Sequence, residues 1–90
     1  MKVFLRRTAK KYLDSLNAED KSRIKAAIIK LEKEPPEGDI KPIVGQPKCF
    51  RVRTSKYRIF FWILKDNTIL IINIEPRGQA YKKKNRRYKR

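Results

Sequence analysis

The sequence contains no histidine and a single cysteine, Cys49, in 90 residues. Those two gaps exclude a disulfide framework, a zinc site of Cys and His ligands, a Ser-His-Asp triad and an imidazole general base. No cofactor or metal is expected, and an enzyme built on this chain works without imidazole. Long apolar runs are missing too: the longest, Ile59 to Leu64, has six residues, against the roughly 20 that span a bilayer. The N-terminus lacks the apolar core of a signal peptide. A cytoplasmic protein with no membrane segment is the expectation. Acidic residues are scarce, 9 Asp and Glu against 25 Lys and Arg, leaving a net charge of +16. An excess of that size attracts polyanions, implying nucleic acid, an acidic protein or an anionic membrane surface as partner.

What is present suffices for one core, since 40% of the residues are hydrophobic and a chain this short forms one domain. The charge divides unevenly. Residues 1–45 carry 11 basic and 7 acidic side chains, residues 46–81 carry 7 and 2, and residues 82–90 carry 7 and none. We therefore expect a single domain over residues 1–81 and a basic C-terminal tail over 82–90. The tail, KKKNRRYKR, has no apolar periodicity with which to dock. Lys82, Lys83, Lys84, Arg86 and Arg87 are expected to strengthen attraction to the phosphates of a polyanion such as RNA without reading sequence.

Val3, Phe4 and Leu5 read as a short strand. From Thr8, an expected N-cap, Ala9, Tyr12, Leu13 and Leu16 share one helical face. Asn17 is expected to cap a second helix, with Glu19 and Asp20 in its first turn and Ile24, Ala27, Ile28 and Leu31 as its apolar stripe. Pro35 and Pro36 end it. Residues 35–47, with four of the five prolines, read as a loop. Three strands follow, Lys48 to Thr54, Tyr57 to Lys65 and Thr68 to Glu75, joined by Ser55-Lys56 and by Asp66-Asn67 in tight hairpins. The fold class is α+β: a short N-terminal strand and a helical hairpin packed on one face of an antiparallel sheet, in the order β-α-α-β-β-β.

Pairing Thr54 with Tyr57 and Lys65 with Thr68 sets a register in which 53 faces 58, 51 faces 60 and 58 faces 75. Side-chain alternation then gives two faces. Phe50, Val52, Tyr57, Ile59, Phe61, Ile63, Leu70, Ile72 and Ile74 should receive the helices. The other face carries Arg51, Arg53, Arg58, Asn73 and Glu75 at one end, and Phe60, Trp62, Ile69 and Ile71 at the other; Arg77 follows on the same side. Arg53 opposite Arg58 places like charges across a strand pair, which is destabilising unless an anion resolves it. Glu75 is one internal counterion among four guanidiniums. A phosphate fits the surplus, because the guanidinium fork matches its oxygens. The plainer alternative is a solvated face with one structural salt bridge to Glu75. Phe60 and Trp62 are expected to pack rather than stack on bases, Cys49 to be an ordinary buried thiol, and the helix lysines to be solvated.

The helical hairpin followed by CFRVR, SKYRIFFW and IEPRGQAY resembles the RelE toxin superfamily of toxin-antitoxin systems, and more its messenger-cleaving RelE branch. The resemblance spans residues 1–81. It implies a ribosome-dependent endoribonuclease that cuts messenger RNA in the ribosomal A site, and a RelB-like antitoxin as partner besides ribosome and messenger. It also implies a catalytic set of Arg51, Arg53, Arg58, Arg77 and Tyr81. In such enzymes the 2′-hydroxyl attacks the adjacent phosphorus and leaves a 2′,3′-cyclic phosphate. Arg51, Arg53 and Arg58 would bind and stabilise the scissile phosphate, Arg77 the leaving-group side or a neighbouring phosphate, and Tyr81 would stack or transfer a proton. Some relatives carry Lys where this chain has Arg51 and Arg53; an Arg does not act as a base, which leaves the general base unassigned. Two alternatives stay open: a ParE-like inhibitor of DNA gyrase with the same fold, and a non-enzymatic basic RNA-binding module.

Overall fold

The computed structural model describes residues 1–54 and 56–77. Its elements run β1 (Lys2–Leu5), α1 (Arg7–Ser15), α2 (Ala18–Leu31), β2 (Asp39–Pro42), β3 (Cys49–Arg53), β4 (Tyr57–Leu64) and β5 (Thr68–Pro76). Among these residues no helix is long and apolar enough to cross a membrane.

Both helices follow the expected apolar stripes. Ala9 and Leu13 of α1 and Ile24 and Leu31 of α2 are buried. Asn17 caps α2 as expected, its Oδ1 accepting a hydrogen bond from the Asp20 N–H at 2.8 Å, with Glu19 and Asp20 at the positive end of the helix. Thr8 is not a cap. Helix α1 begins two residues earlier, at Arg7 after Arg6, with no side-chain cap bond. Arg6 N–H donates to Ile71 O at 2.8 Å, so the sheet's own hydrogen bonding delivers the chain into the helix.

The five strands form one sheet in the order β1-β5-β4-β3-β2, with the helices packed against one face. The α+β class is as expected, with a mixed sheet. Strand β1 joins parallel to β5, Lys2 beside Thr68 and Leu5 beside Ile71; parallel neighbours need a long crossover, supplied by all that lies between them. The stretch 35–47 is not wholly loop. Strand β2 pairs antiparallel with β3, Asp39 against Arg53 and Lys41 against Arg51. Pro42 is compatible with this strand because β2 is an edge, with no neighbour on its outer side.

The β3–β4 register is as expected, with Arg53 across from Arg58 and Arg51 across from Phe60. The β4–β5 register agrees over only part of its length. Arg58, Ile59 and Phe60 pair with Glu75, Ile74 and Asn73, but Phe61 pairs with Ile71 and Leu64 with Thr68. The connection is therefore three residues, Lys65 to Asn67, with Asp66 and Asn67 at φ 61° and 55°. Ile72 is the extra residue of a bulge that restores the register beyond it. On β5, the side chains from Ile69 to Ile72 change face, while those of β4 keep theirs. Ile69 and Ile71, expected outside, lie in the helix-covered core with Val52, Ile59, Phe61 and Ile74; Ile72 and Leu70, expected inside, pack with Cys49, Phe60 and Trp62 on the opposite face.

Candidate nucleic-acid interface

The added strand and the restored register bring four charged side chains into one row across the sheet. Asp39 on β2 is opposite Arg53 on β3, Arg53 is opposite Arg58 on β4, and Arg58 is opposite Glu75 on β5. The signs run minus, plus, plus, minus. The adjacent row is Lys41, Arg51, Phe60 and Asn73. Arg51, Arg53 and Arg58 thus share one end of the face that the helices leave open. Arg77 reaches the same end, its N–H donating to Lys56 O at 2.9 Å and its Nη1 to Thr54 O at 3.4 Å.

Asp39 is the counterion of the β3 arginines. Its Oδ2 accepts from Arg53 Nε at 2.8 Å, its backbone oxygen accepts from Arg51 Nη1 at 2.9 Å, and its Oδ1 stands 3.7 Å from that same Nη1. The hydrogen bond from Arg53, backed by the charges of Arg53, Arg51 and Lys41, holds the Asp39 carboxyl below the usual carboxylate range. Arg51, with a side chain only 13% exposed, is pulled below the ordinary guanidinium value by burial first, and by Arg53 and Arg58, against the attraction of Asp39. An arginine at such a site remains a cation at neutral pH.

Glu75 is buried, at 6% exposure, and its Oε2 accepts from Asn73 Nδ2 at 2.6 Å. Arg58 Nε is also buried and has no hydrogen-bond acceptor among the described residues. Two carboxylates thus face four guanidiniums and the Lys41 ammonium, so the positive surplus anticipated from the sequence persists after the internal counterions are counted. Such a surface has the charge and the donors to suit an anion with several oxygens, since the guanidinium fork matches carboxylate and phosphate oxygens bidentately.

The rest of this face is apolar. Phe60, Trp62 and Cys49 are 5%, 7% and 1% exposed, consistent with packing roles, and the Arg6 guanidinium lies 5.0 Å from the Trp62 ring centroid in a cation–π contact. Below the charged row, a buried link ties sheet to helix: Tyr57 Oη donates to Asp20 Oδ2 at 2.9 Å, with Lys56 Nζ 3.6 Å from Oδ1. Tyr12 meets the Tyr57 ring edge-on at 6.3 Å. Burial and the Asp20 hydrogen bond push the Tyr57 phenol up to about 12, so it stays protonated and structural.

Of the residues singled out in the sequence, Arg51, Arg53, Arg58 and Arg77 gather at this end of the sheet. Tyr81 and the tail residues Lys82, Lys83, Lys84, Arg86 and Arg87 lie outside the described residues. Sequence reasoning missed Asp39 and Lys41. Their signal was faint: a four-residue alternation, Asp-Ile-Lys-Pro, among prolines and glycines.

Several solved structures share this fold. The RelB–RelE antitoxin–toxin complex from Methanococcus jannaschii matches with a TM-score of 0.70 at 24% identity, over 88% of this chain and 95% of that one. The isolated RelE toxin of E. coli matches with a TM-score of 0.71 at 16% identity, over 90% and 95%. In the intact E. coli RelBE complex the figures are 0.68, 18%, 83% and 94%. No curated protein matches the sequence. The family described as the ParE toxin of the type II toxin-antitoxin system parDE matches residues 3–81, and with most of its length covered, the chain belongs to that toxin family within the wider RelE/ParE superfamily.

Proposed function

We propose that this toxin is a ribosome-dependent endoribonuclease that cuts messenger RNA in the ribosomal A site and so halts translation. The observation that carries the reading is the direct cross-strand pairing of Arg53 with Arg58, with Arg51 and Arg77 at the same end. Phosphate-directed chemistry gives this costly arrangement a purpose. In the reaction, the 2′-oxygen bonds to the adjacent phosphorus as the bond to the 5′-oxygen breaks. The 2′-hydroxyl loses its proton, the departing 5′-oxygen gains one, and the products are a 2′,3′-cyclic phosphate and a 5′-hydroxyl. Charge accumulates on the non-bridging oxygens, where fixed donors act most strongly. Arg51, Arg53 and Arg58 supply those donors, Arg77 steadies the leaving side, and Tyr81 stacks or moves a proton. The tail adds sequence-independent attraction to the ribosome. A RelB-like antitoxin is the partner that would silence the toxin.

The family match favours a second reading, gyrase inhibition, which requires no phosphate cluster. Primer extension on a translated messenger, run beside a gyrase supercoiling assay, separates the two. Cleavage with cyclic-phosphate ends and unchanged supercoiling is expected. Inhibited supercoiling with an intact messenger would overturn the nuclease reading, and salt-sensitive RNA binding without cleavage under ribosomal conditions would leave a binding module.

A further inference from the structure

We infer that Asp39 is a positioning residue for the phosphate site: it fixes the guanidiniums of Arg51 and Arg53 in the orientation that meets a phosphodiester, at some cost in affinity for RNA. The inference rests on the phosphate-directed reading above and adds to it a residue that touches no substrate. One aspartate holds both β3 arginines, through its carboxylate on Arg53 Nε at 2.8 Å and its main-chain oxygen on Arg51 Nη1 at 2.9 Å. These bonds leave both Nη groups of Arg53 as the end available to a ligand. A free arginine carries about 2 kcal/mol of rotamer freedom, which binding would otherwise have to remove, and donors already aimed at the developing charge cost no reorganisation at the moment of reaction.

The backbone delivers Asp39 to this spot with little latitude. Gly38 precedes it at φ 134°, and a Cβ there would come within 2.9 Å of Val52 Cγ2, so only glycine lets β2 approach β3 so closely. Glu37 N–H donates to Lys30 O at 3.0 Å, tying the segment to the end of α2. Four ladder pairs then align Asp39 with Arg53. Arg58, across from Arg53, has no such holder on Nε among the described residues. Two guanidiniums are held from the β2 side, and the third lies on the neighbouring strand directly across from Arg53.

The carboxylate also repels the RNA it helps to receive, so its removal should move affinity and rate in opposite directions. Asp39→Asn keeps the size and backbone of β2 and removes the charge; Asp39→Ala removes the side-chain acceptor as well. The full chain is tested in two assays: binding of a non-cleavable 2′-O-methyl oligoribonucleotide, and single-turnover cleavage of a messenger on translating ribosomes. Expected for Asp39→Asn are tighter binding, with a log–log salt slope steeper by about 0.7 for one additional neutralised phosphate, and cleavage slowed by about tenfold, equal to about 1.4 kcal/mol of barrier. Asp39→Ala should slow cleavage further. A variant that binds more tightly and cleaves as fast as the parent, or one that is weaker in both, would overturn the inference, making Asp39 a mere competitor in the first case and a mere wall in the second. If the parent itself cleaves no messenger, the nuclease reading fails and the inference is judged by nitrogen-15 NMR of the guanidinium Nε–H groups with the oligonucleotide bound. A sharp Arg53 signal in the parent that is lost in both variants upholds it; signals alike in all three overturn it.

Discussion

On the helix-covered face, Ile59, Phe61, Ile69 and Ile71 are entirely out of water, and each cross-strand neighbour is another apolar side chain. On the open face the same strands set Arg53 against Arg58 and then bracket the pair with Asp39 and Glu75. The first face gains stability from every contact it makes, since burial of apolar area is favourable wherever packing is tight. The second carries repulsion that packing does not require. Placed back to back on a single sheet, the two show that rigidity supplied by one side allows a strained charge arrangement on the other.

That division is sharpened most by the open face. Arg58→Ala should lower messenger cleavage by about 10²–10³-fold, the effect of removing one donor to a developing charge, while circular dichroism and the unfolding midpoint stay near those of the parent. Loss of fold together with activity would break the comparison, because Arg58 would then belong to the core's work. Ile71→Ala tests the reverse: a cost of about 2–5 kcal/mol in denaturant unfolding, with RNA affinity at low temperature retained.

A smaller effect is expected at the link between sheet and helix. Tyr57→Phe leaves Asp20 without its phenol partner and should cost about 1–3 kcal/mol, read by thermal unfolding. The pH dependence has a definite sign. The folded protein keeps the Tyr57 proton up to about pH 12, against an ordinary value of 10.0, so the folded state binds it more tightly than the unfolded chain. This contribution is fully present below pH 10 and is lost as pH rises towards 12; alkaline unfolding curves of Tyr57→Phe should lack that slope. The smallest change is expected at Lys10, whose pair with Asp14 at 2.9 Å joins two side chains more than half exposed. Lys10→Ala should alter stability by no more than about 0.5 kcal/mol.

Much of this organisation is legible in the residues. The helical stripes through Leu13 and Ile24, the Asn17 cap and the positive φ of the Asp66-Asn67 turn are local matters that side-chain chemistry declares. The arginine row was legible for a less direct reason. A two-residue turn was expected where three residues are present, which shifts the register by one; the bulge at Ile72 shifts it back before Asn73 and Glu75 are reached. The charged end of the face therefore came out correctly, and the faces of Ile69, Leu70, Ile71 and Ile72 were exchanged. Apolar residues cannot reveal such a slip, because Ile and Leu suit either side of a sheet covered at this end on both faces.

The amino-acid sequence by itself determined the helices, the strands from β3 to β5, the lack of imidazole chemistry and the guanidinium-rich character of the site, because each follows from periodicity, turn chemistry or side-chain charge. Tertiary structure alone decided that β1 lies parallel to β5, that β2 exists, and that Asp39 stands beside Arg51 and Arg53. Strand pairing depends on hydrogen bonds to segments distant along the chain. A four-residue edge such as Asp39–Pro42 has too little pattern to announce itself until β3 is there to receive it.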